Sequence, residues 1–275
     1  MGARHRIGQS SLGACVLFAL GAPAFAVEPV DKFSFVISGY LTKFDTDLRA
    51  DGESAAGTPV DLERDLALEP NNLIATIGAT WRPWEHHQFG LSYFSDKNSG
   101  SRQLDRTIVF EGVTYDALAT VDAELKSDVA AFQYVWWAAM RERWALGPQF
   151  GLIWYRFKLS VDMQLDVNGN DVSGTRQASV KADLPTPSLG FMWSWTPDDD
   201  WRISTEAGYF KIKVDTIDAE VLYGRAAVEW FPWERTGFRL DYVINDASAD
   251  SNRTNFSGEV DFLDSGLRLG VVYRF

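Results

Sequence analysis

Cysteine is all but missing from this 275-residue sequence: Cys15 is the only one, and it lies close to the N-terminus. Histidine is nearly as scarce, limited to His5 and the tandem pair His86-His87. Long apolar runs are lacking too. Although 46% of the residues are hydrophobic, no stretch beyond the N-terminus approaches the roughly 18–20 consecutive apolar residues that a membrane helix needs. Once the N-terminus is removed, these gaps exclude disulfides, thiolate metal centres, a cysteine nucleophile and a helical anchor.

The first residues have the layout of a leader. Arg4, His5 and Arg6 make a basic start, Leu12 to Leu20 a short apolar core, and Ala24-Phe25-Ala26 a small-x-small cleavage site. That is a secretory signal peptide, with the mature chain beginning near Val27. Leu12-Gly13-Ala14-Cys15 also looks like a lipoprotein cleavage box, but Gln9, Ser10 and Ser11 leave no apolar core upstream of it. The expected division is 1–26 as signal peptide and 27–275 as one domain. Losing Arg4 and Arg6 with the leader leaves 24 basic against 38 acidic side chains, a net charge of −14. So acidic a chain is a poor partner for nucleic acid.

What the sequence has in plenty is aromatic residues and alternation. Eleven Trp, nine Tyr and eighteen Phe bring the aromatic content to 14%. Apolar side chains recur at every second position in Leu73-Ala75-Ile77-Ala79-Trp81, Phe132-Tyr134-Trp136-Ala138, Leu189-Phe191-Trp193-Trp195, Trp201-Ile203-Thr205-Ala207-Tyr209, Leu222-Ala226-Val228-Trp230, Phe238-Leu240-Tyr242-Ile244 and Leu267-Leu269-Val271-Tyr273-Phe275. This period predicts strands with one apolar and one polar or small face. A soluble sandwich alternates in the same way, so the turns have to decide. Four short charged turns are flanked by Trp, at Trp81–Glu85, Met140–Trp144, Trp195–Trp201 and Trp230–Arg235, whereas the connections at roughly 47–70, 98–118, 166–175, 213–218 and 246–257 are longer and polar.

Short turns alternating with long loops, with tryptophans beside the turns, is the asymmetry of a barrel in the bacterial outer membrane. The expected fold class is therefore all-β, a closed antiparallel up-and-down transmembrane β-barrel of about ten strands. Approximate strands are 32–46, 71–82, 87–97 (continuing toward 107), 119–139, 144–165, 176–196, 201–212, 218–231, 237–246 and 258–275. Trp81, Trp84, Trp144, Trp195, Trp201, Trp230 and Trp233 are the expected lipid-interface aromatics, and both termini fall in the periplasm. Within 144–165 the apolar face switches from Phe150, Leu152 and Trp154 to Phe157, Leu159, Val161 and Met163, which predicts a β-bulge near Trp154-Tyr155.

Two stretches carry a resemblance to known proteins. The C-terminus, with Arg268, Gly270, Tyr273 and a final Phe275, resembles the terminal signal strand of bacterial outer-membrane proteins. The resemblance implies recognition by the barrel assembly machinery. Gly57-Thr58-Pro59-Val60-Asp61-Leu62-Glu63-Arg64-Asp65-Leu66-Ala67-Leu68 resembles a stretch in an uncharacterised proteobacterial family of outer-membrane barrels, and so implies a fold but no activity.

Candidate chemistry is thin. The omptin proteases need an Asp-His pair and an Asp pair at the outer rim, and barrel enzymes acting on lipid A also use His. His86-His87 falls in the first short turn, at the wrong end for either, and no Ser-His-Asp triad is available. No enzyme activity, cofactor or metal site is expected. Asp166-Val167-Asn168-Gly169-Asn170-Asp171 hints at a calcium loop, but Asp171 and Gln177 stand where Gly and Glu belong, and Asn168-Gly169 reads better as a turn.

If the Trp-bearing faces meet lipid, Arg202, Glu206, Tyr223, Arg225, Glu229, Arg239, Asp241, Arg268 and Arg274 point inward. Counted from the turns, Arg202 and Glu229 sit level on adjacent strands, and Glu206 and Arg225 sit level about four residues higher. Either these pairs fill a narrow barrel as an ion-pair network, or they line the constriction of a small pore. The acidic loop 47–70 is expected to be solvated, the alternatives being divalent-ion bridging to lipopolysaccharide or a plug in the barrel mouth. The function read from the sequence is a narrow pore or small-solute barrel with a charged lumen. The alternative is a non-conducting structural or surface-interaction barrel acting through its acidic loops. Its expected partners are outer-membrane lipids and lipopolysaccharide.

Overall fold

The computed structural model of the chain describes residues 26–52, 56–165, 177–214, 217–253 and 256–275. The leader (apart from Ala26) and the Asp166–Asp171 turn lie outside the described residues. Ten long strands form the molecule: β1 (Phe33–Ala50), β2 (Asn71–Trp84), β3 (His87–Gln103), β4 (Thr120–Trp136), β5 (Trp144–Leu165), β6 (Gln177–Trp195), β7 (Trp201–Val214), β8 (Ile217–Trp230), β9 (Thr236–Arg253) and β10 (Phe256–Arg274). Each pairs antiparallel with its neighbours in sequence. β10 returns to β1 in a ladder from Ser34↔Arg274 to Ala50↔Gly258, which closes the barrel.

The period-2 pattern decides which face points out. Leu41, Leu73, Leu91, Phe132, Phe150, Phe191, Leu222, Leu240 and Leu269 are all exposed on the outer surface, while Tyr40, Ile74, Val135, Tyr223 and Asp241 are buried inside. Exposing so many large apolar side chains in water would be costly, so the solvent for this face is hydrocarbon. On β5, Trp144 and Trp154 both face out, ten residues apart. At about 3.3 Å per residue and a tilt of about 45° they are separated by about 23 Å of membrane normal, close to the apolar band of about 25 Å.

Two strands run further than the alternation predicts: β1 reaches Ala50 and β9 Arg253. Above the bilayer the outer face no longer has to be apolar, so runs such as Asp246-Ala247-Ser248-Ala249-Asp250 lose their pattern while keeping their ladder. The expected bulge at Trp154-Tyr155 is absent. β5 keeps an unbroken register there against both β4 and β6. What changes is the interior: Tyr155 lines the polar chamber, while Leu159 and Val161 further along face inward into an apolar core. Irregularities occur instead between Trp81 and Trp84 and between Thr120 and Val121.

That core is the second correction. Loop 1 is not a solvated acidic tether. It carries a short strand, Val60–Asp61, and the helix α1, Leu62–Leu66, capped by the Asp61 carboxylate accepting from Arg64 N at 2.7 Å. Val60, Leu62, Leu66 and Leu68 are buried across the barrel mouth with Leu104, Ile108, Phe110 and Tyr115 of the next loop. They meet Leu48, Val121, Leu159, Val161, Ala178, Val180 and Val260 from the surrounding strands. The β5–β6 hairpin leans over this cap, with Phe157 5.7 Å from Phe262 of β10 between ring centroids. Accordingly β6 pairs with β5 along its whole length but with β7 only from Leu189↔Tyr209 to Trp195↔Ile203. Pro185 and Pro187 lie in the stretch without a β7 partner, and proline, having no N–H to donate, suits a strand edge.

Inside the wall, the Tyr223 ring lies flat over Gly208 and reaches Gln149 through a 2.6 Å hydrogen bond. A Cβ at Gly208 would come within 2.2 Å of that ring, whereas one at Gly224, on the outer face, would meet nothing nearer than Ile244 at 3.5 Å. Gly208→Ala is therefore expected to lower stability by about 1–3 kcal/mol through overpacking and Gly224→Ala to change it little, as measured by urea unfolding from lipid vesicles.

Candidate functional site

Among the described residues, buried charge gathers in the lumen, at Asp31, Arg202, Glu229, Asp241, Asp264 and Arg274. Its floor is made by the segment ahead of β1. Val27 and Val30 are buried, the Pro29 carbonyl accepts from Ser194 Oγ at 2.6 Å, and Asp31 turns its carboxylate inward. Arg202 of β7 donates from Nη2 to Asp31 Oδ2 at 2.7 Å and from Nε to Glu229 Oε2. The β7–β8 register places Arg202 directly opposite Glu229, so the pair needs no bending of the backbone. Arg274 approaches Asp31 at 4.0 Å, and the guanidinium groups of Arg202 and Arg274 lie over the Phe231 ring. Trp137 closes the floor, buried and donating to Gln88 Oε1 at 2.9 Å.

Above the floor the charges continue as a chain. Arg239 reaches Glu229 at 3.6 Å and Asp241 at 2.9 Å, and Arg268 approaches Asp241 at 4.0 Å. Arg225 grips Glu206, its direct cross-strand partner, with two hydrogen bonds of 2.8 and 3.0 Å, and Gln133 donates to the same carboxylate. Higher still, Asp264 accepts from Tyr40 at 2.5 Å, Thr42 at 2.6 Å and Asn245 at 3.2 Å, while Arg268 stacks over the Tyr40 ring. Between this network and the wall of β2 to β5 lies a chamber of about 240 Å³. The small inward residues Gly78, Gly90, Ser92, Ala131 and Gly151 leave that space.

All seven residues expected in the lumen stand inside the barrel: Arg202, Glu229, Arg239, Asp241 and Arg268 are linked in one chain, and Glu206 and Arg225 pair beside it. Asp31, Tyr40, Asp264, Gln133, Gln149 and Trp137 complete the set and were missed. Asp31 precedes the first strand, where alternation gives no signal, and the uncharged members read as ordinary small-face residues. The seven tryptophans expected at the interface lie on outward positions or short turns at the end where the chain termini sit. Of the terminal-strand residues, Tyr273 and Phe275 face out, packing at 4.8 Å, and Arg268 and Gly270 face in. His86 and His87 sit at this same end, with Nδ1 atoms 2.7 Å from Trp137 O and Tyr134 OH. No cluster of metal-ligating side chains occurs among the described residues.

The cap has electrostatics of its own. Glu63 accepts from Thr46 N at 3.0 Å, and burial lifts its carboxyl above the ordinary value. For Asp65 burial acts in the same direction, but hydrogen bonds from Arg106 (2.6 Å) and Arg64 (3.1 Å) outweigh it and hold the carboxyl below the ordinary value. Burial pushes the Tyr115 hydroxyl up to about 12; it donates to Val161 O at 2.8 Å.

Removing the centre of the floor tests how the array is held. Arg202→Met leaves two buried carboxylates short of their cation and is expected to cost about 3–5 kcal/mol. The Arg202→Met/Glu229→Leu double variant should recover part of that loss. Urea unfolding in vesicles reads both.

Neither a scan against protein-family models nor a search of curated protein sequences finds a match. Solved structures do match in shape. The outer membrane protease OmpT from Escherichia coli aligns over 90% of this chain and 97% of its own, with a TM-score of 0.57 and 14% identity. Alignments to the attachment invasion locus protein Ail of Yersinia pestis (TM-score 0.31, 10% identity, 90% of this chain and 100% of that one) and to the toluene transporter TodX of P. putida (0.38, 8%, 90% and 91%) are too loose to add to it. At 14% identity the OmpT likeness speaks for the fold alone. With its closed ring of ten strands, its apolar exterior and its tryptophan-rich rim, the chain is an integral β-barrel of the bacterial outer membrane.

Proposed function

We propose that the protein is a sealed barrel that does not conduct as it stands and that works through the ordered cap on its long-loop end. The observation that carries this reading is the apolar core across the mouth, where Val60, Leu62, Leu66, Leu68, Ile108 and Phe110 are each no more than 2% exposed. An aqueous path would have to cross a packed core that excludes water, and burial of that kind stabilises by roughly 25 cal/mol per Å². The charged array below is then the filling of a narrow barrel rather than a pore lining.

A second reading has an observation of its own. Gln149 Oε1 and Asp241 Oδ1 are buried beside the chamber without a hydrogen-bond partner. Orphaned acceptors in a space of this size suit a small polar guest or ordered water. Non-enzymatic action fits both readings, because the histidines left after the leader sit at the terminal end, away from the cap. As part of the same proposal, Arg268, Gly270, Tyr273 and Phe275 serve as the assembly signal.

Planar-bilayer recording checks the sealed state: the folded chain should give no steady current, and deletion of residues 51–69 should open one. Steady conductance of the intact chain would overturn the proposal. Charge on Glu63 opposes docking of the cap at neutral pH, since its folded-state pKa is raised, and acidification through that value relieves the cost. Asp65 has the opposite sign, and its contribution disappears only when pH falls through its lowered value. Glu63→Gln, which keeps the acceptor for Thr46 N, is expected to slow proteolysis of the cap at pH 7 but not at a pH where Glu63 is already protonated.

A further inference from the structure

We propose that the outer face of β3 to β6, just above the upper aromatic belt, binds phosphorylated lipid headgroups of the leaflet at the long-loop end. The inference rests on the membrane placement of the barrel and is independent of the sealed-cap reading. Strand register brings four lysines into one row. Lys97 of β3 is the direct partner of Lys126 on β4, Lys126 of Lys158 on β5, and Lys158 of Lys181 on β6. All four are exposed on the outer surface. Neighbouring strands set directly opposed side chains about 5 Å apart, a spacing at which like charges repel.

Carboxylates on the protein answer only part of this charge. Glu124 bridges Lys97 at 2.7 Å and Lys126 at 3.0 Å. Lys158 and Lys181 have no ion-pair partner among the described residues. The acids one step below are engaged elsewhere: Asp128 accepts from Tyr93 at 2.9 Å, and Asp183 accepts from Trp154 Nε1 and approaches Arg156 at 3.9 Å. Arg156 itself lies over the Trp154 ring.

The height of the row identifies the anion. It stands two residues along each strand above Ser95, Asp128, Arg156 and Asp183, and four above Tyr93, Ala130, Trp154 and Pro185. Below those lie Leu91, Phe132, Leu152 and Phe150, an exposed apolar wall for acyl chains. A ligand meeting both surfaces has an anionic head over a hydrocarbon body. The row is not a by-product of a basic chain, for the net charge is −12. On the opposite wall Asp47, Asp246, Asp250, Glu259 and Asp261 are exposed on the outer face. Lysine ammonium groups, compact and rotatable, suit phosphate as point charges.

The test uses the folded full-length chain in neutral detergent, with binding of bisphosphorylated lipid A and of dephosphorylated lipid A read by native mass spectrometry. The phosphorylated form should bind at least about tenfold more tightly, and more weakly as salt rises. The Lys126→Gln/Lys158→Gln/Lys181→Gln variant should lose that preference, the corresponding Lys→Arg variant should keep it, and Asp246→Asn/Asp250→Asn should leave it unchanged. Equal binding of the two lipids by the wild-type chain overturns the proposal, and that comparison stands even where the triple variant does not fold. Unchanged lipid binding by a folded triple variant overturns it too, as does a row that proves to hold a second copy of the chain instead.

Discussion

Backbone polarity in hydrocarbon is the constraint from which the rest of this structure follows. A strand crossing a bilayer has no water to satisfy its N–H and C=O groups, and each one left unpaired costs several kcal/mol. The ladder between β1 and β10, continuous from Ser34 to Ala50, closes the sheet on itself. Where an edge is left, between β6 and β7 above Leu189 and Tyr209, the chain has placed Pro185 and Pro187 and tilted the β5–β6 hairpin across the mouth.

Closing the sheet creates the next problem, a narrow interior too polar to be a simple apolar core. The chain solves it in three layers. At the terminal end the carboxylates of Asp31 and Glu229 hold Arg202, and the register of β7 against β8 presets that geometry. In the middle, Arg225–Glu206 and the Asp264 cluster leave a chamber beside the glycine-rich wall. At the long-loop end charges give way to the apolar cap. Buried ion pairs are poor sources of net stability, but they are strongly directional, so this array favours one register over its one-residue slips, each of which would turn charges toward lipid.

Legibility followed the same physics. In the membrane-spanning part each residue has one of two solvents, so Leu267, Leu269, Val271 and Tyr273 could be assigned outward and Arg268 inward from alternation alone. Level pairing of Arg202 with Glu229 could be counted from the two short turns at the terminal end, because each residue stands one step inside the tryptophan that borders its turn, Trp201 or Trp230. Outside the bilayer both rules lapse. Asp246 to Asp250 reads as loop although it is strand, and the face switch in β5 resembles a bulge because the interior, not the strand, changes character beyond Tyr155. The acidic residues of loop 1 hid its docking: Leu62 and Leu66 are spaced for one face of a short helical turn, yet a five-residue helix is too short for its period to stand out among the surrounding charges.

By itself the sequence determined the class of fold, the number of spanning strands, which faces meet lipid and which charges point inward, since all of these are set by local alternation and by the chemistry of turns. Only the tertiary structure decided that the mouth is closed, that Asp31 returns to the floor and that four lysines from four strands stand abreast. Each of these depends on register and contact between segments far apart in sequence, and such pairings leave no periodic trace along the chain.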